Sequence, residues 1–395
     1  MNHKRNMSAM ILMNAGNQIV VLFVGTFLVA QVFWASGESF TAIGLFAIID
    51  WTSLFIFFFL ASVLCKLIRP TWVIRMSAGL ACGLLFLLVF QPDIIADWHL
   101  ALAALWGAIQ GLYWGANNFL VSETFGKETK LSYMVWFQLM VCFVKIVFPF
   151  TFGLIIDFES FFVTTVIILV VCLLTFGFSF FVRAEKREPQ RLKMFKMLKV
   201  FKEQSFTRPA WSFAFVTFLN GLTGAMTISM TIMVLMTFGT NLSLGILMTV
   251  GSAVTIAMLW AYRRWKNKVG TPLFFASAIL PLLAGLPLFF TISYATVVIS
   301  QGAIVAFRRI ISVEEETVRL TMAKYMGRED FNVEVNLFYE IMLWLGRITS
   351  GGLVVMLGVF SAPPIAFAAV FVIMLLFLLV HAMLVLAWKK KYLHT

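Results

Sequence analysis

Long apolar runs separated by short polar segments fill the chain almost from end to end. Twelve of them reach the roughly 20 residues that an α-helix needs to cross the hydrocarbon core of a bilayer. Numbered in chain order, the predicted spans lie near residues 8–34, 41–64, 73–91, 99–121, 132–156, 161–183, 210–238, 242–262, 271–290, 293–322, 332–359 and 364–388. The pattern therefore predicts an all-α membrane protein with twelve transmembrane helices.

The connections between these spans alternate between basic and acidic. Every connection on one side carries Lys or Arg, from Lys4 and Arg5 before span 1 to the lysines at 389–391 after span 12. The other side holds only five charged residues, namely Glu38, Asp93, Asp97, Asp157 and Glu159. Because Lys and Arg gather on the cytoplasmic side of membrane proteins, both termini are predicted to be cytoplasmic. An even number of spans agrees with this orientation.

A basic linker, residues 184–209, divides the chain into an N-terminal six-span domain (1–183) and a C-terminal one (210–395). Within it, apolar residues recur at helical spacing against four lysines; the apolar set is Met194, Met197, Leu198 and Phe201. Such a segment is typical of an amphipathic helix lying on the anionic inner leaflet of a membrane. The alternative, a target for calmodulin-like or nucleic-acid partners, is less common for a linker of this kind.

Composition supports the membrane assignment and explains the charge. Hydrophobic residues make up 61% of the 395 residues and charged residues only 12%, far from the range of soluble domains. The net charge of +12 would favour nucleic acid only if a soluble basic face existed, so no nucleic-acid partner is expected. Four cysteines, Cys65, Cys82, Cys142 and Cys172, stand singly inside apolar runs and are interpreted as small hydrophobic residues.

Span 11 repeats features of span 5 at the corresponding place in the second half. Aligning Phe137 with Tyr339 pairs Gln138 with Glu340 and Lys145 with Arg347. The preceding loops align as "GKE" (126–128) and "GRE" (327–329) after a one-residue gap. A duplicated six-helix unit is how many secondary transporters are built, with the substrate held near the midplane between the repeats.

The segments "GAIQGLYWGANNFLVSETFGKETK" (107–130) and "EVNLFYEIMLWLGRI" (334–348), together with the topology, resemble the major facilitator superfamily. The resemblance covers the whole chain. Within the superfamily, the two segments resemble a divergent branch of Gram-positive permeases. This resemblance implies two pseudo-symmetric six-helix bundles, transport by alternating access, and a place in the bacterial cell (plasma) membrane. It also implies that spans 1, 4, 7 and 10 line a cavity, that spans 2, 5, 8 and 11 form the interface between the halves, and that the others face lipid.

The loop after span 2 departs from the family pattern. The family has a Gly, then an Asp followed by basic residues, where this chain has "ASVLCKLIRPTW" (61–72). Ala61 replaces the Gly and Cys65 stands in place of the Asp, while Lys66 and Arg69 keep the basic character. The departure weakens the expectation of the cytoplasmic latch that this loop forms in the family.

Ionisable residues inside the spans are confined to helices that the resemblance places inside the bundle. They are Asp50 in span 2, Lys145 in span 5, Arg308, Arg309, Glu314, Glu315, Glu316 and Arg319 in span 10, and Glu340 and Arg347 in span 11. Spans 3, 6 and 9 have none near mid-span, and span 12 has only His381. A charge within hydrocarbon costs several kcal/mol unless it is paired or faces water, so this distribution predicts an aqueous cavity.

Asp50 and Arg347 are predicted to form an ion pair between the halves. Counted from the extracellular ends, their depths differ by only about 3 Å at 1.5 Å per residue, and the family architecture packs spans 2 and 11 together. We expect the pair to act as an extracellular gate; the alternative is a static pair that only neutralises two charges. Glu340 is the favoured proton-coupling residue, because pairing of Asp50 with an arginine opposes its protonation.

Span 10 admits two interpretations. Arg308 and Glu315 share a face two turns apart, and Glu315 and Arg319 stand at i and i+4, so the helix could neutralise its own charges as a ladder. Alternatively, Glu315 and Arg319 take part in gating, and Arg308 joins Lys145 and Arg347 in binding an anion. Arg grips carboxylate and phosphate groups bidentately, and the deep basic groups outnumber Asp50 and Glu340, which favours an anionic substrate.

Neutral polar residues are concentrated in spans 1 and 4. In span 4, Gln110, Trp114 and Asn117 fall on one helix face, and span 1 carries Asn14, Asn17 and Gln18. For any one of these residues, a hydrogen bond between packed helices is the simpler interpretation, yet together they favour a wet cavity wall. The predicted substrate-binding set is Asn17, Gln110, Trp114, Asn117, Lys145, Arg308 and Arg347. Gly107, Gly111 and Gly115 are predicted to allow close helix packing instead.

No enzymatic motif or metal-ligand cluster is visible, so neither catalysis nor a cofactor is expected. Three functions stay open. The first is a secondary transporter for an anionic or amphipathic small molecule, the second a flippase for an anionic lipid-linked envelope precursor, and the third a permease-like partner or sensor that transports nothing. We expect a monomer with a small-molecule or lipid-like substrate and with protons as a coupling ion.

Overall fold

The computed structural model describes residues 3–124, 127–184, 194–203, 207–325, 332–360 and 363–392, which form helices and short turns and no strand. In chain order they are α1 His3–Leu22, a π-helical turn Phe23–Leu28, α2 Val29–Ala35, α3 Phe40–Leu67, α4 Pro70–Phe90, α5 Ile94–Asp97, α6 His99–Thr124, α7 Lys127–Phe158, α8 Phe161–Ser179, α9 Met194–Glu203, α10 Thr207–Leu222, α11 Gly224–Phe238, α12 Asn241–Gly285, a 3-10 turn Leu286–Phe289, α13 Tyr294–Tyr325, α14 Asn332–Phe360 and α15 Pro363–Tyr392. The predicted all-α fold class is confirmed.

Eleven helical segments in the described residues are long and apolar enough to cross a membrane. They match eleven of the twelve predicted spans. The remaining one, span 4, is the 26-residue helix α6, which is long enough to cross but less apolar because it carries Gln110, Asn117 and Asn118. The chain is therefore a multi-pass membrane protein.

Two predicted boundaries differ from the structure. Spans 8 and 9 belong to one helical run, α12, which continues through the basic segment 263–270 because Lys and Arg favour helix and no strong breaker precedes Gly270. Span 7 is instead divided into α10 and α11 at Thr223. The Thr223 hydroxyl donates a 2.8 Å hydrogen bond to the carbonyl of Asn220, which competes with the regular helix pattern.

The helices group into two compact units. Unit 1 comprises α1 to α8 together with residues Thr240–Thr249 at the start of α12. Unit 2 comprises α9 to α11, the rest of α12 and α13 to α15. The predicted domain boundaries at residues 183 and 210 stay a prediction.

In unit 1, the glycine row of α6 packs directly on the backbone of α3. A methyl group added at Gly107 would meet the carbonyl oxygen of Asp50, and one added at Gly111 would meet that of Leu54. Gly115 continues the same contact one turn further on. The prediction that these glycines allow close helix packing is confirmed, because any side chain here would push the two helices apart.

Two cysteines of unit 1 meet across the contact between α4 and α8. The sulfur atoms of Cys82 and Cys172 lie 3.3 Å apart, and both residues are free thiols. Their positions are 90 residues apart in the sequence, so spacing alone gave no sign of the pair. They are small residues in an apolar contact, as interpreted, but they are also close neighbours.

The start of α12 is held within unit 1 by Asp157, the residue near the end of α7. Its carboxylate accepts hydrogen bonds from the backbone nitrogen of Leu242 at 2.7 Å and from the side chain of Asn241 at 2.9 Å. A carboxylate at a helix N-terminus satisfies free N–H groups and complements the helix dipole. Gly153 and Gly245 let the backbones of α7 and α12 approach closely beside it.

In unit 2, α10 and α14 pack in the same glycine-dependent way. A methyl group at Gly221 would meet the carbonyl oxygen of Leu343, and one at Gly346 would meet that of Phe218. The two glycines thus oppose each other across the helix pair and bring the polar residues of α10 and α14 within reach of one another.

Gly111→Ala is expected to lower the melting temperature of the purified protein, because its new methyl group has no space against α3 and overpacking costs about 1–3 kcal/mol. Gly83→Ala is the matched control, since Gly83 also lies within a helix but has no atom within 4 Å of an added methyl group. Scanning fluorimetry in detergent measures both. Equal melting temperatures for the two variants would contradict the α3–α6 contact.

Treatment of the membrane-embedded protein with a mild thiol oxidant such as diamide is expected to join Cys82 to Cys172 within one chain. The sulfur atoms need to move only from 3.3 Å to the roughly 2.05 Å of a disulfide. Mass spectrometry of the digested protein identifies the linked peptides, and Cys82→Ser is the control that should lose them. Links through Cys65 or Cys142 in place of this pair would show that α4 and α8 pack differently.

Candidate functional site

A buried polar network in unit 1 is centred on Asn14 of α1. Its side-chain nitrogen donates to the hydroxyl of Tyr133 at 3.0 Å and lies 3.3 Å from the side-chain oxygen of Asn117. Its side-chain oxygen accepts a 2.9 Å hydrogen bond from the hydroxyl of Tyr113. Asn14 is fully buried, so these contacts replace the water that its amide would otherwise bind. The network joins α1, α6 and α7.

The predicted neutral substrate residues lie close to this network or on the same helices. Asn117 belongs to it, and one turn away Trp114 donates a 3.0 Å hydrogen bond from its indole nitrogen to the side-chain oxygen of Gln110. Asn17 and Gln110 are both buried. Among the described residues, the side-chain nitrogens of Asn17 and Gln110 find no hydrogen-bond partner, so each amide keeps a donor that the protein does not use.

The two predicted charged residues of unit 1 lie on separate helices. Asp50 is partly buried on α3, where its backbone packs on Gly107, and Lys145 is exposed on α7. Both residues take part in interactions within the structure. The predicted pair of Asp50 with Arg347 joins residues of different units and stays a prediction.

In unit 2, the Arg308 side chain is fixed at the break between α10 and α11. Its two terminal guanidinium nitrogens donate hydrogen bonds of 3.0 Å each, one to the hydroxyl of Thr223 and the other to that of Thr227. Both of these partners are neutral hydroxyls. Among the charged residues, Glu315 is the strongest electrostatic partner of Arg308, and Arg309 and Arg347 also lie within electrostatic range of it.

Glu315 of α13 forms the centre of a second buried network. One carboxylate oxygen accepts a 2.8 Å hydrogen bond from the side chain of Asn220 and lies 3.4 Å from the hydroxyl of Tyr339. The other oxygen lies 3.7 Å from the Nε2 atom of His381 on α15. Glu315 and His381 are both almost completely buried. The network joins α10, α13, α14 and α15.

Several charged residues of span 10 contact neighbouring helices. Besides Arg308 and Glu315, Glu314 accepts a 2.6 Å hydrogen bond from the hydroxyl of Tyr262 on α12. The side chain of Arg319 lies outside the described residues, so the predicted Glu315–Arg319 step stays a prediction. Glu340 and Arg347 are partly buried on α14, and their predicted roles also stay predictions.

The two networks share one arrangement. In each unit an asparagine amide on the first long helix donates to a tyrosine hydroxyl that lies 119 residues later in the chain: Asn14 to Tyr133, and Asn220 to Tyr339. Each asparagine also meets a polar side chain of the fourth helix, which is Asn117 in unit 1 and Glu315 in unit 2. In this correspondence, Tyr133 of unit 1 is the equivalent of Tyr339 of unit 2. The sequence alignment paired Tyr339 with Phe137, which lies one helical turn after Tyr133.

The sequence analysis did not foresee Tyr133 and Tyr339, the two threonines that hold Arg308, or the proximity of His381 to Glu315. The equal separation of the two Asn–Tyr pairs was a signal that could have found Tyr133 and Tyr339. The isolated position of His381 as the single ionisable residue of span 12 was a second one. In the part of the chain that the structure describes, no group of His, Cys, Asp and Glu side chains could hold a metal ion.

Comparison with known proteins gives a family match over most of the chain. The family model described as Major Facilitator Superfamily matches residues 7–313. None of the curated protein sequences compared with the chain matches it significantly.

Solved transporter structures share the fold at low sequence identity. A bacterial homologue of the human lysosomal transporter Spinster, in an inward-facing and unoccupied conformation, aligns over 99% of this chain and 98% of its own, with 11% identity and a TM-score of 0.68. The nucleoside transporter NupG aligns over 99% of this chain and 100% of its own, with 14% identity and a TM-score of 0.64. A variant of NupG gives 12% identity, coverage of 97% and 99%, and a TM-score of 0.69. At such identities the likeness shows the fold alone.

Asn14→Ala is expected to destabilise unit 1 by about 1–2 kcal/mol, because Tyr113, Tyr133 and Asn117 lose a buried partner. The melting temperature of the purified protein measures the loss. Asn118→Ala is the control on the same helix as Asn117, since Asn118 has no part in the network. A variant Asn14→Ala as stable as the wild type would show that the network contributes little.

Proposed function

Because the chain belongs to the major facilitator superfamily, whose members are secondary transporters, we propose that it carries an anionic or amphipathic small molecule by alternating access. Its general function is therefore secondary transport across a membrane, which in general is not enzymatic. The proposal concerns the class of substrate, and it takes its support from the side chains buried inside each unit.

The observation that carries the proposal is the state of Arg308. Arg308 is partly buried, and an arginine inside a membrane-spanning segment is costly unless a charged or strongly polar partner compensates it. Thr223 and Thr227 hold the fork of the guanidinium group in a fixed orientation through neutral hydroxyls. A carboxylate or phosphate that approached this side chain would supply the missing negative charge and gain charge-assisted hydrogen bonds.

The neighbouring charges favour the same ligand class. Arg309 and Arg347 lie within electrostatic range of Arg308, and Glu315 is the acidic residue that acts on it most strongly. Repulsion among the three arginines raises the free energy of the empty site, and a bound anion would reduce this repulsion. A cationic substrate would instead be repelled by the three arginines.

Unit 1 contains buried neutral donors of its own. The side-chain nitrogens of Asn17 and Gln110 are buried without a partner among the described residues. A substrate oxygen that accepted these hydrogen bonds would remove an unfavourable state of the unloaded protein. These donors therefore favour a ligand that carries hydrogen-bond acceptors.

The proposed location is the bacterial cell membrane with both termini in the cytoplasm, supported by the basic connections. Helix α9 is proposed to rest on the anionic inner leaflet beside them. Its Met197 is fully buried in unit 2, while Phe195 is 89% exposed and the helix carries Lys196, Lys199 and Lys202. An exposed aromatic ring beside lysines is suited to the interface between lipid headgroups and acyl chains.

Binding of matched pairs of compounds tests the proposed substrate class. Each pair consists of a neutral parent and its phosphate ester or carboxylate, and the purified protein is melted with each member. Anionic members are expected to raise the melting temperature, because they bind the folded state, while their neutral parents have little effect. Hits are then followed as uptake into proteoliposomes.

Arg308→Gln is expected to weaken the binding of any anionic hit by about tenfold to a hundredfold, the loss of one or two charge-assisted hydrogen bonds. Arg264→Gln is the matched control, because Arg264 is exposed on α12 and packs against Trp260. Neutral parents that stabilise the protein as much as their anions, or unchanged binding in Arg308→Gln, would overturn the proposal.

A further inference from the structure

His381 of α15 is a buried histidine without hydrogen bonds. It is 2% exposed, and within the described part of the chain neither ring nitrogen has a hydrogen-bond partner. A buried polar group without partners costs free energy, and in native proteins it calls for an explanation such as a functional role. The carboxylate of Glu315 lies close to the ring, with Nε2 and Oε2 3.7 Å apart.

The separation of 3.7 Å is slightly too long for a hydrogen bond, but it is short enough for the two groups to interact electrostatically. Adding one proton changes the pair. The proton can sit on Oε2 and be donated to Nε2, or on Nε2 and be donated to the carboxylate, and either arrangement satisfies both atoms. No rearrangement of the helices is needed, since a shift of less than 1 Å closes the gap.

The groups that face this pair from the packed helices are few. Helix α10 contributes the neutral Asn220, and Tyr339 of α14 is the hydroxyl beside the carboxylate. Neither α10 between residues 209 and 222 nor α11 contains an ionisable residue, and α15 contains only His381 between residues 363 and 388.

The charged residues around the pair are therefore those of α13 and α14. Arg308 acts electrostatically on both Glu315 and His381. Glu314 accepts a hydrogen bond from Tyr262. The remaining charged residues on these helices are Arg309, Glu316, Glu334, Glu340 and Arg347, together with Arg319 and Lys324, whose side chains lie outside the described residues.

A continuous set of contacts joins the pair to Arg308. The guanidinium group donates to the hydroxyl of Thr223, and that hydroxyl donates to the backbone carbonyl of Asn220. The side chain of the same Asn220 donates to Glu315 at 2.8 Å. A change at Arg308 therefore reaches the carboxylate both through space and through the residue that holds it.

We propose that Glu315 and His381 together bind one exchangeable proton and that this proton is the one coupled to the anion bound at Arg308. With the site empty, the positive charge of Arg308 stabilises the ionised carboxylate. When an anion neutralises Arg308, this stabilisation is lost and the pair takes up a proton from water. Anion and proton then favour each other's binding, as any two coupled ligands must do reciprocally. The link to an anion rests on the proposed function, but the proton site does not.

The titration of His381 in the full-length protein tests the proton site without any substrate. The chain has four histidines, so replacing His3, His99 and His394 by Gln leaves His381 as the single signal in a spectrum of nitrogen-15-labelled histidine. Infrared difference spectroscopy follows protonated carboxyl groups over the same pH range. We expect the imidazole signal and one carboxyl band to change with a common midpoint, and Glu315→Gln to remove that band.

Arg308→Gln mimics the neutralisation by an anion and so tests the coupling. Removal of the positive charge is expected to raise the common midpoint by roughly one pH unit, because the carboxyl group keeps its proton more readily. Arg264→Gln, which changes the same charge on an exposed part of α12, is expected to leave it in place. An uptake assay that finds no anion would overturn the proposed substrate but not this result.

Two outcomes would overturn the inference. A His381 signal that does not change between pH 5 and pH 9, with no carboxyl band lost in Glu315→Gln, would show that the pair binds no exchangeable proton. Equal midpoint shifts in Arg308→Gln and Arg264→Gln would show that the proton responds to net charge alone. If Glu315→Gln does not fold, the imidazole titration and the Arg308 variant still decide the question.

Discussion

A polar side chain inside a membrane-spanning bundle must find its hydrogen-bond partners within the protein, and this requirement organises both units. Asn14 satisfies it through two tyrosines and Asn117, and Asn220 does so through Glu315 and Tyr339. In unit 2 the contact between Asn220 and Tyr339 spans α10 and α14, whose backbones approach closely at Gly221 and Gly346. Close helix packing and buried hydrogen bonding therefore occur together at this helix pair.

The duplication is expressed more clearly in these contacts than in the sequence. Two Asn–Tyr pairs with the same separation of 119 residues survive in units whose other residues have diverged. The further partner differs between the units, because Asn14 meets the neutral Asn117 and Asn220 meets the ionisable Glu315. The contacts of Asn14 are to amide, hydroxyl and backbone carbonyl groups, whereas those of Asn220 include a carboxyl group.

How much could be predicted depends on whether a feature is local. The spans, the fold and the glycine packing follow from hydrophobicity and residue size along one helix, and these predictions are confirmed. The partners of Arg308 and Glu315 were not foreseen, because they come from helices distant in sequence and depend on helix rotations that periodicity does not fix. Cys82 and Cys172 were missed for the same reason. The ion pair of Asp50 with Arg347 also needs such information, and it stays a prediction together with the roles of Lys145, Glu340 and Arg319.

The turn at Thr223 brings a cation and a carboxylate of unit 2 into one set of contacts. The Thr223 hydroxyl donates to the carbonyl of Asn220 and accepts from the guanidinium group of Arg308. The side chain of the same Asn220 donates to Glu315. Two ionisable residues that stand two turns apart on α13 are therefore connected through residues at the end of α10, by a hydroxyl and an amide.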